Sequence, residues 1–433
     1  MGSLAVNGGS AVWSAAWPTW PIYSERESEL LRQVVESGRW AYDGPFETQF
    51  QQAFADYHTA RHGVAVSSGT IALQLALEAL DIGYGDEVIL PVNTWQATAI
   101  AVLDVNAVPI LVDIEPETYA IDLAKVTAAL TPHTRAIIPV HLFNNVADME
   151  RLLAFARQHN LSVIEDCAHS HGTQWAGRGM GSLGELGCFS FQSSKSLNSG
   201  EGGFVITNDD RLYERLYSLR NCGRMRPGAD PDLWQAVQGG NFRITEWQAA
   251  VLCAQFERLP EQVTCRDANS QILDKQLGQF DGLQPLRRRA EVSRLGMYRY
   301  VVRYDPEAFN EVPVDAFRRA LSAEINGWVG GVYHPLNQSP LYQPHTKRRY
   351  HLSEAHWRAI DPKQYDTPVA QRAYESESVL FGHTALLAEP AAIQALVDAC
   401  AKLHEHRDEL ATWALVSQSV DPVRTDTHRG VRA

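Results

Sequence analysis

Four short runs dense in branched aliphatic residues, VILPV (88–92), PILVDI (109–114), AIIPVHLF (136–143) and LSVIED (161–166), alternate with stretches of helical periodicity at 94–105, 123–130 and 147–158. No other feature constrains the fold as strongly. A strand that is apolar on both faces has to be covered on both, and strands separated by a helix run parallel through crossover connections. The pattern predicts an α/β protein with a large, mostly parallel sheet between two layers of helices. CFSFQ (188–192) and GFVIT (203–207) add strands, and further helices are expected at 24–37, 68–80 and 211–219.

Beyond this region the rhythm changes. The Pro/Gly-rich stretch 225–240 reads as a loop, followed by helices at 245–256 and from 259 to 277. From Tyr298 the alternating YRYVVRYD reads as a strand, and helices at 315–323 and 391–406 complete a smaller α+β domain. The expected organisation is an N-terminal arm over 1–22 that needs a surface to lie on, a large domain over 23–280, a small C-terminal domain over 281–416 and a polar, frayed tail over 417–433. No internal repeat is evident.

Composition narrows the function. Lys and Arg number 38 against 51 Asp and Glu, a net charge of −13, and no basic stripe is present to displace counterions from nucleic acid. Six cysteines without a CxxC pair fit reduced thiols in the cytoplasm better than a disulfide scaffold or zinc site. The first 25 residues lack the basic start of a signal peptide, and the apolar runs are too short to span a membrane.

Chemistry concentrates at a few strand ends. Lys195, in SFQSSKSLNSGEGG, is the only cation between Met180 and Asp210. It reads either as an exposed loop lysine or as an imine-forming amine, which requires desolvation or consumption as a Schiff base. Asp166 closes the run VIED at the carboxyl end of a strand, where open α/β sheets bind ligands. A carboxylate there can keep a pyridinium nitrogen protonated, or simply cap the next turn. Ser68, Gly69 and Thr70 open a helix, a phosphate site or an ordinary N-cap. Trp95 follows another strand end and can stack on a heteroaromatic ring or fill core. Gly179, Gly181 and Gly184 match GxGxxG but lead into a strand rather than a helix, so the dinucleotide reading fails. His404-Glu405-His406 lacks zinc-ligand spacing, and no GxSxG elbow occurs.

In their order, the segments SGTIAL, DEVILP, VDIEPETY, IIPVHLF, EDCAHSHG, SFQSSK, GEGG and GNFRITEWQAA resemble the DegT/StrS sugar aminotransferases. These are pyridoxal-phosphate (PLP) enzymes of the aspartate aminotransferase fold, fold type I. The runs 94–122 and 334–350 are most similar to members that use L-glutamine and act on inososes in aminocyclitol antibiotic pathways. The resemblance implies that Lys195 is the Schiff-base lysine and Asp166 the partner of the pyridine nitrogen. It places Trp95 over the ring, and Ser190, Gly69 and Thr70 beside Ser68 at the phosphate. Asn241 corresponds to an asparagine that reaches the phosphate from the neighbouring subunit, which implies a homodimer with shared sites. His169 stands where the family often has Gln, a departure that leaves its role open. Dehydratase relatives carry His at the lysine position, so Lys195 argues for transamination. No metal is implied. Tyr333, His334, His383 and Arg243 are candidates for the acceptor pocket. Three alternatives stay open: the same chemistry on a nucleotide-linked keto-sugar or a valienone-type ketone, a non-catalytic PLP-binding regulator, and, more distantly, a nicotinamide oxidoreductase.

Overall fold

The computed structural model describes residues 2–420, with side chains to 417. Its centre is a seven-stranded sheet in the order His62–Val66, Gly203–Thr207, Leu186–Ser190, Ser162–Asp166, Thr134–Ile137, Glu87–Pro91 and Val108–Val112. All strands run parallel except Gly203–Thr207, which is antiparallel to both neighbours. Burial explains the composition: every residue of Glu87–Pro91, Leu186–Ser190 and Gly203–Thr207 is buried, as a sheet covered on both faces demands. Helices Gly69–Ala79, Ala97–Asp104, Leu123–Ala128 and Met149–His159 fill the crossovers, and Asp210–Arg220 follows the last strand of the sheet.

Two departures from the sequence reading concern helices. The segments expected at 245–256 and 259–277 form one helix, Glu246–Leu277, running through Pro260. Pro260 removes one backbone donor, but Leu259, Val263 and Arg266 around it are buried, so packing holds the helix together across the break. Helix Pro45–Tyr57, which the periodicity did not single out, opens with proline after Gly44. It delivers Phe50 and Phe54 against Phe191 and Phe204, an aromatic cluster directly under the Lys195 turn.

Strands Leu283–Pro285, Arg299–Tyr304 and Ser378–Gly382 form a separate antiparallel sheet, packed with helices Val314–Ile325 and Pro390–Glu405. The N-terminal arm finds its surface there. Leu4 is buried, the Ala5 amide donates to Glu324, and Trp17 Nε1 donates to the Ile325 carbonyl at 2.9 Å. The end of the arm then crosses to the large domain, where Trp20 Nε1 donates to the Ser193 carbonyl. Residues 417–420 of the expected tail continue helix Arg407–Val420, and 421–433 lie outside the described residues. No helix among the described residues is long and apolar enough to cross a membrane.

One buried ion pair ties the first strand to its surroundings. Arg220, at the end of helix Asp210–Arg220, pairs with fully buried Glu47 and with Asp43, and donates to the Ala65 carbonyl at 2.8 Å. Removing one partner strands the other charge without water. Arg220→Met should therefore lower stability by about 3–5 kcal/mol, measured by urea unfolding. Adding Glu47→Gln should recover part of the loss, and a single variant as stable as wild type would contradict this reading.

Candidate active site

Because the parallel strands share a direction, their carboxyl ends lie along one edge of the sheet. Val66 leads into Ser68 and Gly69, Pro91 into Trp95, and two further strands end in Asp166 and Ser190. Gly203 begins the antiparallel strand at the same edge, opposite both Val66 and Ser190. Three chain segments meet there with no room for extra atoms. A Cβ on Gly69 would sit 2.7 Å from the Ser190 Cβ, and one on Gly203 would sit 2.2 Å from the Ser68 carbonyl oxygen. Ser68 caps helix Gly69–Ala79, its hydroxyl accepting from the Ile71 amide. The first-turn amides of Gly69 and Thr70 thus open beside Ser190, a cradle suited to an anion.

Asp166 is buried, and each carboxylate oxygen has one donor: Thr98 Oγ1 at 2.8 Å on Oδ2 and the Ala168 amide at 3.1 Å on Oδ1. Each oxygen keeps acceptor capacity for a further cationic N–H. Burial raises its pKa above the ordinary value, against the pull of Thr98, Ala168 and the Lys195 charge. Its neighbour Glu165 points to the opposite face of the strand. There it accepts from His141 Nε2 at 3.1 Å and from the amides of Gly181, Leu183 and Gly184, each at 2.8 Å. Burial alone would raise Glu165, but His141 and these amides outweigh it and hold it below the usual carboxylate range. This accounts for the GxGxxG motif, whose loop wraps a carboxylate of its own chain. Cys167 lies within 4.8 Å of the His141–Glu165 pair, whose polar atoms are taken up by these hydrogen bonds.

Lys195 is half-buried in a turn after Ser190, closed by its own amide donating to the Gln192 carbonyl. Its Nζ lies 4.4 Å from the centroid of the Tyr298 ring. Desolvation lowers its pKa from 10.5 to about 8, with Arg299 pushing the same way and Tyr298 and Asp166 opposing. The turn is clamped from several sides. Tyr298 Oη donates to Ser194 Oγ at 2.7 Å. His383 accepts from Arg266 at Nδ1, so its Nε2–H donates to the Ser194 carbonyl at 3.1 Å. Trp20 meets His383 edge-on with centroids 4.6 Å apart. His171 bridges beneath, 2.9 Å from the Ser190 carbonyl and 3.4 Å from Ser196 Oγ.

His169 is buried with its ring 4.4 Å from that of Tyr298; Nε2 lies 3.3 Å from Tyr333 Oη, and Nδ1 has no partner. Burial, aided by the Lys195 and Arg299 charges, keeps its pKa well below the ordinary value, so the ring is neutral. Trp95 is 44% exposed and 5.7 Å from Tyr333. Of the other expected site residues, His334 stacks on Tyr374 at 3.8 Å. Arg243 donates to Asn221 and lies over Tyr42, while exposed Asn241 bridges to Asn221. Thr98, Tyr298, Arg299, Arg266 and Trp20 were not singled out from the sequence. They come from two helices, the small sheet and the arm, and no local sequence signal marked them.

The half-buried amine has a measurable consequence. Its folded pKa lies below that of an unfolded lysine, so folding releases a proton between about pH 8 and 10.5, and the group's penalty on stability fades as pH rises through that window. In the ligand-free protein, labelling of Lys195 by an amine reagent, followed by peptide mass spectrometry, should titrate with a midpoint of about 8. A midpoint near 10.5 would contradict the desolvated environment.

The site fits a pyridine ring carrying a phosphate and an aldehyde. The crowded Gly69–Ser190–Gly203 edge forms the anion cradle, Asp166 has acceptor capacity for a ring N–H, and His169 Nδ1 is buried without a partner. Comparison with known proteins agrees. Residues 21–361 match the DegT/DnrJ/EryC1/StrS aminotransferase family. The chain is 40% identical over 420 residues to L-glutamine:2-deoxy-scyllo-inosose aminotransferase of Streptoalloteichus tenebrarius, covering 94% of this chain and 99% of the relative. It is 39% identical to L-glutamine:scyllo-inosose aminotransferase of Streptomyces griseus, with the same coverage. Among solved structures, 3-amino-5-hydroxybenzoic acid synthase superimposes with a TM-score of 0.74 at 31% identity, covering 89% of this chain and 99% of that one. An aminotransferase from Psychrobacter cryohalolentis gives 0.79 at 27% identity, covering 91% and 100%. A lysine and an aspartate at the strand ends, a glycine-lined anion cradle and this shared descent make the chain a pyridoxal-phosphate-dependent aminotransferase of the DegT/DnrJ/EryC1/StrS family.

Proposed function

We propose that this enzyme moves an amino group from L-glutamine to a cyclic polyhydroxy ketone of the inosose type, a step of aminocyclitol antibiotic synthesis. The observation that carries this reading is near full-length similarity to enzymes named for that reaction. Bound pyridoxal phosphate supplies an electron sink for the carbon that loses a proton. Lys195 would hold the aldehyde carbon through Nζ at rest. Once displaced by substrate, the Lys195 amine would take the proton from the donor's α-carbon at Nζ and deliver it to the carbon that had been the cofactor's aldehyde. A pKa of about 8 supports that role, since about a tenth of the amine is unprotonated at pH 7, against less than about a thousandth for an ordinary lysine.

Asp166, oriented by Thr98 and Ala168, would keep the ring nitrogen protonated. Ser68, Gly69, Thr70 and Ser190 would hold the phosphate, Trp95 would cover the ring, and neutral His169 would face the phenolic oxygen. By resemblance, Asn241, which is exposed, would complete the phosphate site of a neighbouring protomer in a homodimer. Tyr333, His334 and Arg243 remain candidates for the ketone's hydroxyls. His383, with both ring nitrogens engaged at Arg266 and Ser194, is better read as positioning the Lys195 turn. The site would lie where a large domain over 23–280 meets a small one over 281–416. Six free thiols favour a cytoplasmic setting.

The test is an amination screen with L-glutamine against inososes, nucleotide-linked keto-sugars and valienone-type ketones, read by product mass. Amination confined to keto-sugars would replace the inosose assignment. Lys195→Ala should stop both half-reactions, a loss beyond the roughly 10²–10⁴-fold usual for acid–base groups, while still binding the cofactor non-covalently. Asp166→Asn should bind cofactor yet lose most of kcat, and an unchanged kcat would remove Asp166 from the chemistry.

A further inference from the structure

Two indoles stand half open beside the Lys195 turn: Trp95 is 44% exposed and Trp328 50%, whereas Tyr298, the ring that carries the Lys195 amine, is buried. The Arg299 side chain links them. Its guanidinium lies 5.0 Å from the Tyr298 centroid, 5.4 Å from Trp328 and 5.5 Å from Tyr333. Tyr333 in turn lies 5.7 Å from Trp95. One side chain therefore separates the Trp328 ring from the ring under the reacting amine. With Trp95 assigned to the cofactor ring, Trp328 is an open aromatic face that the proposed chemistry has not used.

This indole is held still. It lies so close to the Gly330 backbone that a Cβ there would sit 2.4 Å from Cζ2 of Trp328. Gly330 exchanges both backbone hydrogen bonds with Leu380 of the strand Ser378–Gly382, each at 2.9 Å, and the Val332 amide donates to Ser378 Oγ at 3.1 Å. On the other side of Trp328, a Cβ on Gly327 would sit 2.6 Å from Nε1 of Trp17, so the arm packs on the same loop. A rigid, solvent-facing aromatic surface next to a reacting group has the character of a ligand wall, not of core. The named relatives act on ketones of scyllo configuration. All hydroxyls of such a ring are equatorial and form a belt around its edge, so each face presents only axial C–H bonds. Those bonds complement the negative face of an indole. Glutamine, with a charged head and a polar amide, has no comparable face.

We infer that Trp328 is the platform for one face of the acceptor ring and selects cyclic ketones whose hydroxyls are all equatorial. This rests on the inosose reading of the site. An axial hydroxyl on the stacked face lifts the ring off the indole and loses both the contact and a hydrogen bond to water. The hydroxyl belt, directed sideways, is left to polar groups around the rim. Selection of the ketone is thereby separated from selection of the donor, although both use the space above Lys195 in turn.

The experiment measures the two half-reactions of the holoenzyme separately by cofactor absorbance. Trp328→Ala should lower kcat/KM for scyllo-inosose by about 10–10²-fold, chiefly through KM. The donor half-reaction should change by less than about threefold, and Trp328→Phe should recover most of the loss. Two unreactive polyols probe the face directly as competitors of the ketone: scyllo-inositol, with every hydroxyl equatorial, and chiro-inositol, with an axial hydroxyl on each face. Wild type should bind the first about 3–10-fold more tightly, and Trp328→Ala should lose that preference. If wild type aminates no inosose, the ketone assignment fails in the screen above and the platform falls with it. If inososes are aminated but Trp328→Ala keeps its ketone kcat/KM, or keeps the preference for scyllo-inositol, the platform alone is overturned. An equal fall for donor and ketone would mark Trp328 as structural and also overturn it.

Discussion

Desolvation at one edge of a parallel sheet governs the rest of this structure. Parallel strands end together, so Asp166, Ser190 and the turns after Val66 and Pro91 are gathered without help from any single contact. Around Lys195 water is largely replaced by Tyr298, His169 and the Ser190–Ser196 turn, which lowers the amine's proton affinity and raises that of the nearby Asp166 carboxyl. The two shifts have opposite directions and one cause. A neutral amine and a carboxylate that still has acceptor capacity are what proton transfer beside a pyridinium requires.

Holding polar groups out of water demands support, and the chain supplies it on both faces of one strand. Glu165 and Asp166 are adjacent, so the pleat sends them to opposite sides. Glu165 is saturated by His141 and three loop amides. That anchor holds one face of the strand while Asp166, on the other, accepts from Thr98. The glycines at 179, 181 and 184 matter here because the loop must approach closely: Gly181 adopts a φ of +91°, and a Cβ on Gly184 would lie 2.5 Å from the Val163 carbonyl oxygen.

The Lys195 turn is likewise held by elements far apart in the chain. Trp20 from the arm and Tyr298 and His383 from the small domain converge on residues 193 to 195, and Arg266 from the long helix holds His383 in place. The arm, which crosses the small domain before reaching Ser193, thereby couples the position of that domain to the lysine.

Local pattern in the chain was enough for the sheet, because strands apolar on both faces and helices between them admit few arrangements. It was also enough to bring Lys195, Asp166 and the Ser68–Thr70 turn forward, since each stands at a strand end marked by small or hydroxyl residues. Local pattern left Lys195 open between an imine-forming amine and a surface lysine, and the order of motifs favoured the first only through resemblance. Helix Pro45–Tyr57 and the continuity of Glu246–Leu277 escaped periodicity because burial of Phe50, Phe54, Leu259 and Val263 against distant partners, not local preference, stabilises them. Arg266, Tyr298 and Arg299 carry no local mark at all. Their meaning depends on which charges and rings surround them, and for Arg266 and Tyr298 those neighbours come from segments more than a hundred residues away, so only the folded chain could decide it.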